Sequence, residues 1–178
     1  MRIIGGKCKG RRLNAPKSIK ARPTTDFAKE SLFNILSNRT TIEGKHILDL
    51  FAGIGSISFE FASRNAKSVL SIDQQINSIK FINNQAKQLD LKINAKKFDV
   101  FKFISLKNNN SYDIVFADPP YNNSKINSLP DLILNSSLLK ENGLLIIEHG
   151  SENEFTQHPN LIDKRTYSRV NFSFFKHI

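Results

Sequence analysis

Apolar residues along this chain come in two alternating rhythms. Short unbroken runs, Ile47 to Leu50, Ser68 to Ile72, Tyr112 to Ala117 and Leu144 to Glu148, have the length and β-branched content of buried strands. Between them, Ile57 to Arg64, Ile76 to Leu89 and Leu129 to Leu139 repeat apolar positions at helical spacing, and Leu91 to Ala95 reads as one more strand, shorter and more polar. Strands alternating with helices need right-handed crossovers, so the pattern predicts an α/β fold with a mostly parallel sheet covered on both faces. Leu161 to Tyr167 and Val170 to Lys176 leave no room for a helix between them and predict an antiparallel hairpin that closes the sheet. Lys107 to Ser111 reads as a surface loop.

A different pattern precedes this body. Arg2-Ile3-Ile4, Gly5-Gly6 and the run from Gly10 to Leu13 suggest short strands joined by a glycine turn. Thr24 or Thr25 then caps a helix with Ala28, Leu32, Ile35 and Leu36 on one stripe and Asp26 in its first turn. The expected organisation is an N-terminal arm and anchoring helix over 1–40, an appendage to a body over 41–178, in one compact unit. A chain of 178 residues can bury roughly 70% of its unfolded surface without metal or disulfide staples.

Composition changes the picture at the arm. The net charge is +10, and abundant Lys, Asn, Ile and Phe would fit a coding bias with no partner behind it. Distribution argues against that for one segment: Arg2, Lys7, Lys9, Arg11, Arg12, Lys17, Lys20 and Arg22 precede the first acid, Asp26. The arm therefore reads as a nucleic-acid-binding element. One cysteine, Cys8, cannot form an internal bridge, and no apolar stretch suits a signal peptide or a membrane span. The expectation is a cytoplasmic monomer.

Candidate chemistry gathers at strand ends. Leu48-Asp49-Leu50-Phe51-Ala52-Gly53-Ile54-Gly55-Ser56 runs from a strand through glycines into a helix, where backbone can approach a ligand beyond the sheet. Asp73 ends the second strand, twenty residues after Gly53, where a carboxylate can take both hydroxyls of a ribose. A dinucleotide site shares this spacing, but Ser58 stands at the third fingerprint glycine, and Asp49 would welcome a cationic amino-acid end. A sulfonium cofactor bearing an amine fits better than a pyrophosphate. Asp99 follows the third strand beside Val100 and Phe101, either to bind an adenine amine against apolar neighbours or as an exposed loop aspartate.

Asp118-Pro119-Pro120-Tyr121 closes the fourth strand. The Asp118 carboxylate and the Pro119 carbonyl can accept both N–H groups of a nucleobase amine and favour its pyramidal form, while Tyr121 stacks on the ring, worth about 1–3 kcal/mol. Catalysis would then be mostly orientation and electrostatics, with no metal. The competing reading is a Pro-Pro turn with a capping aspartate. His46, His149, His158 and His177 are scattered and show no metal-ligand spacing.

Together these residues resemble a class I S-adenosylmethionine-dependent methyltransferase, and more narrowly the RsmD family, which methylates N2 of one guanine in 16S ribosomal RNA. The resemblance covers nearly the whole chain, from Arg2-Ile3-Ile4-Gly5-Gly6-Lys7-Cys8-Lys9-Gly10-Arg11-Arg12-Leu13 and Arg22-Pro23-Thr24-Thr25-Asp26 to the glycine loop and Asp113 to Tyr121. Gly5, Cys8 and Ile54 depart from the family's usual residues. The resemblance implies a Rossmann-like, seven-stranded methyltransferase fold. It implies S-adenosylmethionine held by Asp49, Phe51, Gly53, Gly55, Asp73, Asp99 and Val100, and a target guanine at Asp118, Pro119, Pro120 and Tyr121. Arg22, Thr24 and Thr25 would lie near the mouth, with the arm on rRNA inside a 30S subunit or assembly particle. The motif alone leaves adenine N6 or cytosine N4 methylation of DNA or another RNA open, and a non-catalytic ribosome-assembly factor is the alternative of another class.

Overall fold

The computed structural model describes residues 1–16, 19, 25–107, 110–167 and 170–178. Its centre is a seven-stranded sheet of β1 (His46–Leu50), β2 (Ser68–Asp73), β3 (Ile93–Lys97), β4 (Tyr112–Ala117), β5 (Leu139–His149), β6 (Leu161–Tyr167) and β7 (Val170–Phe175), in the order β3-β2-β1-β4-β5-β7-β6. Neighbours among β1 to β5 are parallel, and β7 is antiparallel to both β5 and β6. From β1 the chain steps outward to β2 and β3, then returns to lay β4 on the other side of β1. That reversal opens a crevice beyond the carboxyl ends of β1 and β4, where open α/β sheets bind ligands.

Side-chain alternation splits the core in two. Ile47, Ile114, Phe116, Ile146, Phe172 and Phe174 face one cluster, with α1 (Asp26–Arg39), α2 (Ser56–Ser63) and α3 (Ile76–Gln88). Leu48, Leu50, Val115, Ala117, Leu145 and Ile147 face the other, with α4 (Val100–Ser105) and α5 (Leu129–Leu134). Thr25 caps α1, its hydroxyl accepting from the Ala28 N–H at 3.1 Å.

Three elements end or begin at least two residues away from the sequence expectation, and one helix is additional. β3 starts two residues later than Leu91, because Leu91 closes the turn after α3 through its N–H to the Ala86 carbonyl at 2.9 Å. α5 ends at Leu134 instead of reaching Leu139, since Ser136 turns its hydroxyl onto the Ile133 carbonyl at 2.7 Å and the chain re-enters the sheet. β5 is correspondingly longer than Leu144 to Glu148. α4 is a helix that the apolar pattern does not predict; Asp99 caps it by accepting from the Lys102 N–H at 2.9 Å, with Val100, Phe103 and Ile104 buried.

The basic arm is built into the body. It folds into a narrow hairpin, with an Arg2–Arg12 bridge and the Leu13 N–H donating to the Met1 carbonyl at 2.9 Å. Ile3 and Leu13 enter the first core cluster, so the segment is packed against the body. Gly6, at φ +72°, lies against the Ser63 carbonyl, and any side chain there would collide with it. The seam is ionic as well as apolar. Buried Lys29 reaches Glu60 at 3.1 Å and also donates to the Arg2 carbonyl, while Glu60 takes Arg64 and the Ile4 N–H at 2.8 Å.

Candidate active site

The carboxyl ends of β1, β2, β4 and β5 surround a cavity of about 870 Å³. Its wall includes Phe51 and Gly53 from the glycine loop, Asp73 from β2, Asp99 to Phe101 at the start of α4, Asp118 to Tyr121 after β4, and Glu148 from β5. Parallel strands all deliver their carboxyl ends to the same side, so residues far apart in the chain meet here. The size suits a nucleoside-bearing cofactor together with a flat ring.

The glycine loop is held under strain. Phe51 has φ 60°, Gly53 φ 54° and Gly55 φ 77°, and such a value is unfavourable for a bulky residue like Phe51. The Asp73 carboxylate steadies the loop: one oxygen accepts from the Gly53 N–H at 2.8 Å, the other from the Gln75 N–H at 2.8 Å. Each oxygen keeps a second acceptor site, so the pair retains capacity for vicinal hydroxyls. Gly55 lies off the wall, against Ile82 and Phe59, where an added Cβ would approach Ile82 Cγ1 to 2.9 Å.

Across the cavity Asp99 caps α4 and accepts from the Gln74 amide at 2.6 Å, so it is a fixed helix-start carboxylate that still lines the wall. Phe51 and Phe101 meet edge to face with centroids 5.8 Å apart, and buried Val100 lies next to them. This apolar corner with a carboxylate at its rim matches a purine face and its amine.

Asp49 occupies a different place. Its strand parity turns it towards α2, where the Ser58 hydroxyl donates to it and Ser58 in turn meets Ser71 at 2.7 Å. It is not on the cavity wall. Burial pushes its pKa up to about 7, the Ser58 hydrogen bond opposing and the charges of Asp118 and Asp73 adding to the rise. The carboxyl lies behind the lining, close enough to Asp118 and Asp73 for their charges to reach it.

The Asp118 N–H points to the Leu50 carbonyl at 3.4 Å, which ties the segment after β4 to β1, and the Asn123 N–H donates to the Pro120 carbonyl at 2.9 Å to turn the chain back. The Tyr121 hydroxyl reaches Glu148 Oε1 at 3.5 Å. Sequence reasoning passed over Glu148, taking it only as the end of a strand; the acid directly after Leu144 to Ile147, at the same level as Asp118, was the available signal. Phe27, exposed beside the wall residues Thr25 and Ala28, meets Tyr167 edge to face at 6.1 Å and was also not singled out.

Of the arm and mouth residues, Thr25 lines the cavity, and Arg22 and Thr24 lie outside the described residues. Arg2 pairs with Asp26 at 3.1 Å, close to the start of α1. Arg11 and Arg12 are exposed on the second strand of the hairpin. Lys7 and Lys9 belong to the far tip. The Met1 end lies by Ser56, at the cavity end of α2, whereas the Lys7 N–H bonds Ser63, about 10 Å further along that helix, and its ammonium reaches the Asp90 carbonyl at 3.2 Å. The described basic residues of the arm thus form a strip running away from the mouth, and Lys17 and Lys20 lie outside the described residues. Among the described residues no group of His, Cys, Asp and Glu is arranged to hold a metal ion, and no helix is long and apolar enough to cross a membrane.

The profile of one protein family, described as conserved hypothetical protein 95, matches residues 1–176. Proteins named ribosomal RNA small subunit methyltransferase D are similar to this chain. The one from Haemophilus influenzae is 35% identical, covering 83% of this chain and 78% of its own. Its Escherichia coli K12 counterpart is 32% identical, covering 86% and 76%. The solved structure of Escherichia coli YhhF superposes with a TM-score of 0.85 at 26% identity, covering 100% of this chain and 99% of that one.

Proposed function

Because the chain belongs to the conserved hypothetical protein 95 family, the RsmD family of methyltransferases, we propose that it transfers a methyl group from S-adenosylmethionine to the exocyclic N2 of one guanine in 16S ribosomal RNA. The observation that carries this reading is the convergence of Asp118-Pro119-Pro120-Tyr121 with Asp73, Asp99 and the glycine loop on one cavity. The lining fits the donor: acceptors at Asp73 for ribose hydroxyls, an apolar corner at Phe51, Val100 and Phe101 for adenine, and Asp99 for its amine. When bound, S-adenosylmethionine supplies an electrophilic sulfonium methyl.

The chain's own part is to make a weak nucleophile reactive. A base amine delocalises its lone pair into the ring, so Asp118 and the Pro119 carbonyl hold its two N–H groups and turn the lone pair out of plane. Tyr121 supports the ring face, and the negative field of Asp118 and Asp73 favours the positive charge that the amine gains as it is alkylated. Extrusion of the base costs a few kcal/mol, least in an unpaired RNA loop. The hairpin strip supplies phosphate contacts on a structured particle.

The test is methyl transfer to 30S particles and naked 16S RNA from a deletion strain, followed by nucleoside mass analysis. N2-methylguanosine is the expected product. Methyl groups found on adenine or cytosine amines, or transfer to duplex DNA alone, would overturn the assignment.

A further inference from the structure

We infer that Glu148 selects guanine at this site by accepting the N1–H of the target base while Asp118 and the Pro119 carbonyl hold its N2 amine. The inference deepens the methyl-transfer reading and rests on it. Ala117 of β4 pairs with Ile147 of β5, so the residues that follow, Asp118 and Glu148, emerge side by side, one strand spacing of about 4.8 Å apart. Glu148 is 4% exposed, lies opposite Phe172 of β7 and lines the same cavity as Asp118 to Tyr121. Its Oε1 is the atom approached by the Tyr121 hydroxyl at 3.5 Å. The ring that would support the base therefore ends at this carboxylate.

The chemistry of base edges gives the placement its meaning. In adenine and cytosine the ring nitrogen next to the amine, on the Watson–Crick edge, carries a lone pair. In guanine the corresponding neighbour of N2 is N1–H, a donor. A second carboxylate alongside the amine site thus completes a donor–acceptor match with guanine and faces a lone pair in the other two bases. Sites that must hydrogen-bond a substrate group discriminate far more steeply than apolar pockets do. Accepting from N1–H also pushes electron density into the ring and towards N2, so the same contact assists the attack.

The decisive substrate is 2-aminopurine, which keeps the C2 amine but has a lone pair at N1. It is placed at the mapped target position of a ligated 16S RNA assembled into particles. Wild-type protein should methylate guanine at least about 100-fold faster than 2-aminopurine in kcat/KM. Glu148→Gln can present an amide N–H to that lone pair, so the preference should fall to about 10-fold or less, with S-adenosylmethionine affinity retained. Equal slowing of both substrates by Glu148→Gln would make the residue merely structural and overturn the inference. If the variant does not fold, the wild-type comparison still decides, because near-equal rates on the two bases would overturn it alone. Absence of any transfer to guanine by wild-type protein would instead bring down the underlying reading.

Discussion

The seam between the N-terminal hairpin and α2 and the cavity at the carboxyl end of the sheet both hold buried acids, but they treat them in opposite ways. At the seam Glu60 meets Lys29 and Arg64, so its charge is balanced within the protein. At the cavity wall Asp73 is held by two backbone N–H groups and half-buried Asp99 by a backbone N–H and a side-chain amide. Such donors fix a carboxylate without cancelling its charge. The seam is electrostatically finished and serves the fold, whereas Asp73 and Asp99 keep their charge on the cavity wall, which suits a cationic donor.

Substitutions can break this comparison. The largest effect should come from Asp118→Ala, which should lower kcat by at least about 1,000-fold while sparing cofactor affinity in calorimetry. Equal loss of both would move Asp118 from the reacting end to the cofactor end. At the seam, Lys29→Met should cost about 3–5 kcal/mol in urea unfolding, because it leaves Glu60 buried with one partner fewer. Its kcat per folded molecule should change little; a rate loss as large as that of Asp118→Ala would erase the division between the two regions.

Asp49 sharpens the contrast through pH. Its folded pKa of about 7 lies above the ordinary 3.8, so the folded chain keeps a proton that the unfolded chain has released. Stability from this group is complete below about pH 4, falls as pH rises, and is lost above about pH 7. An amide in its place has no proton to titrate over this range. The stability of Asp49→Asn relative to wild type should therefore climb by about 3–4 kcal/mol between pH 4 and pH 8, and a pH-independent difference would show that Asp49 stays ionised. The smallest effect belongs to the hairpin's outer strip. Removing the Arg11 and Arg12 charges should weaken RNA binding and reduce the salt slope by about one unit for each phosphate no longer neutralised. An unchanged slope would take the strip off the RNA.

Much of the fold was readable because periodicity reports burial. The strands of β1, β2 and β4 are short apolar runs bounded by polar residues, and the antiparallel hairpin of β6 and β7 announced itself by lacking space for a helix. α4 was missed although Asp99, Val100, Phe103 and Ile104 stand at cap and helical spacing, since six residues are too few for a period to stand out. At the site, Gly53, Asp73, Asp99 and Asp118 to Tyr121 were visible as types of residue at strand ends, and all line the cavity.

The chain's sequence by itself determined the alternation of strand and helix, the run of positive charge before Asp26 and the chemical character of the strand-end residues, because these depend on local spacing and composition. Tertiary structure alone decided which acids face the cavity. Strand parity sends Asp49 under α2 and out of the lining, and the β4–β5 register sets Glu148 beside Asp118, across thirty positions of sequence. The hairpin's place along α2 was decided in the same way, by the fit of Gly6 to Ser63 and of Lys29 to Glu60. Such choices come from packing between distant segments, and a one-residue shift in register would reverse them.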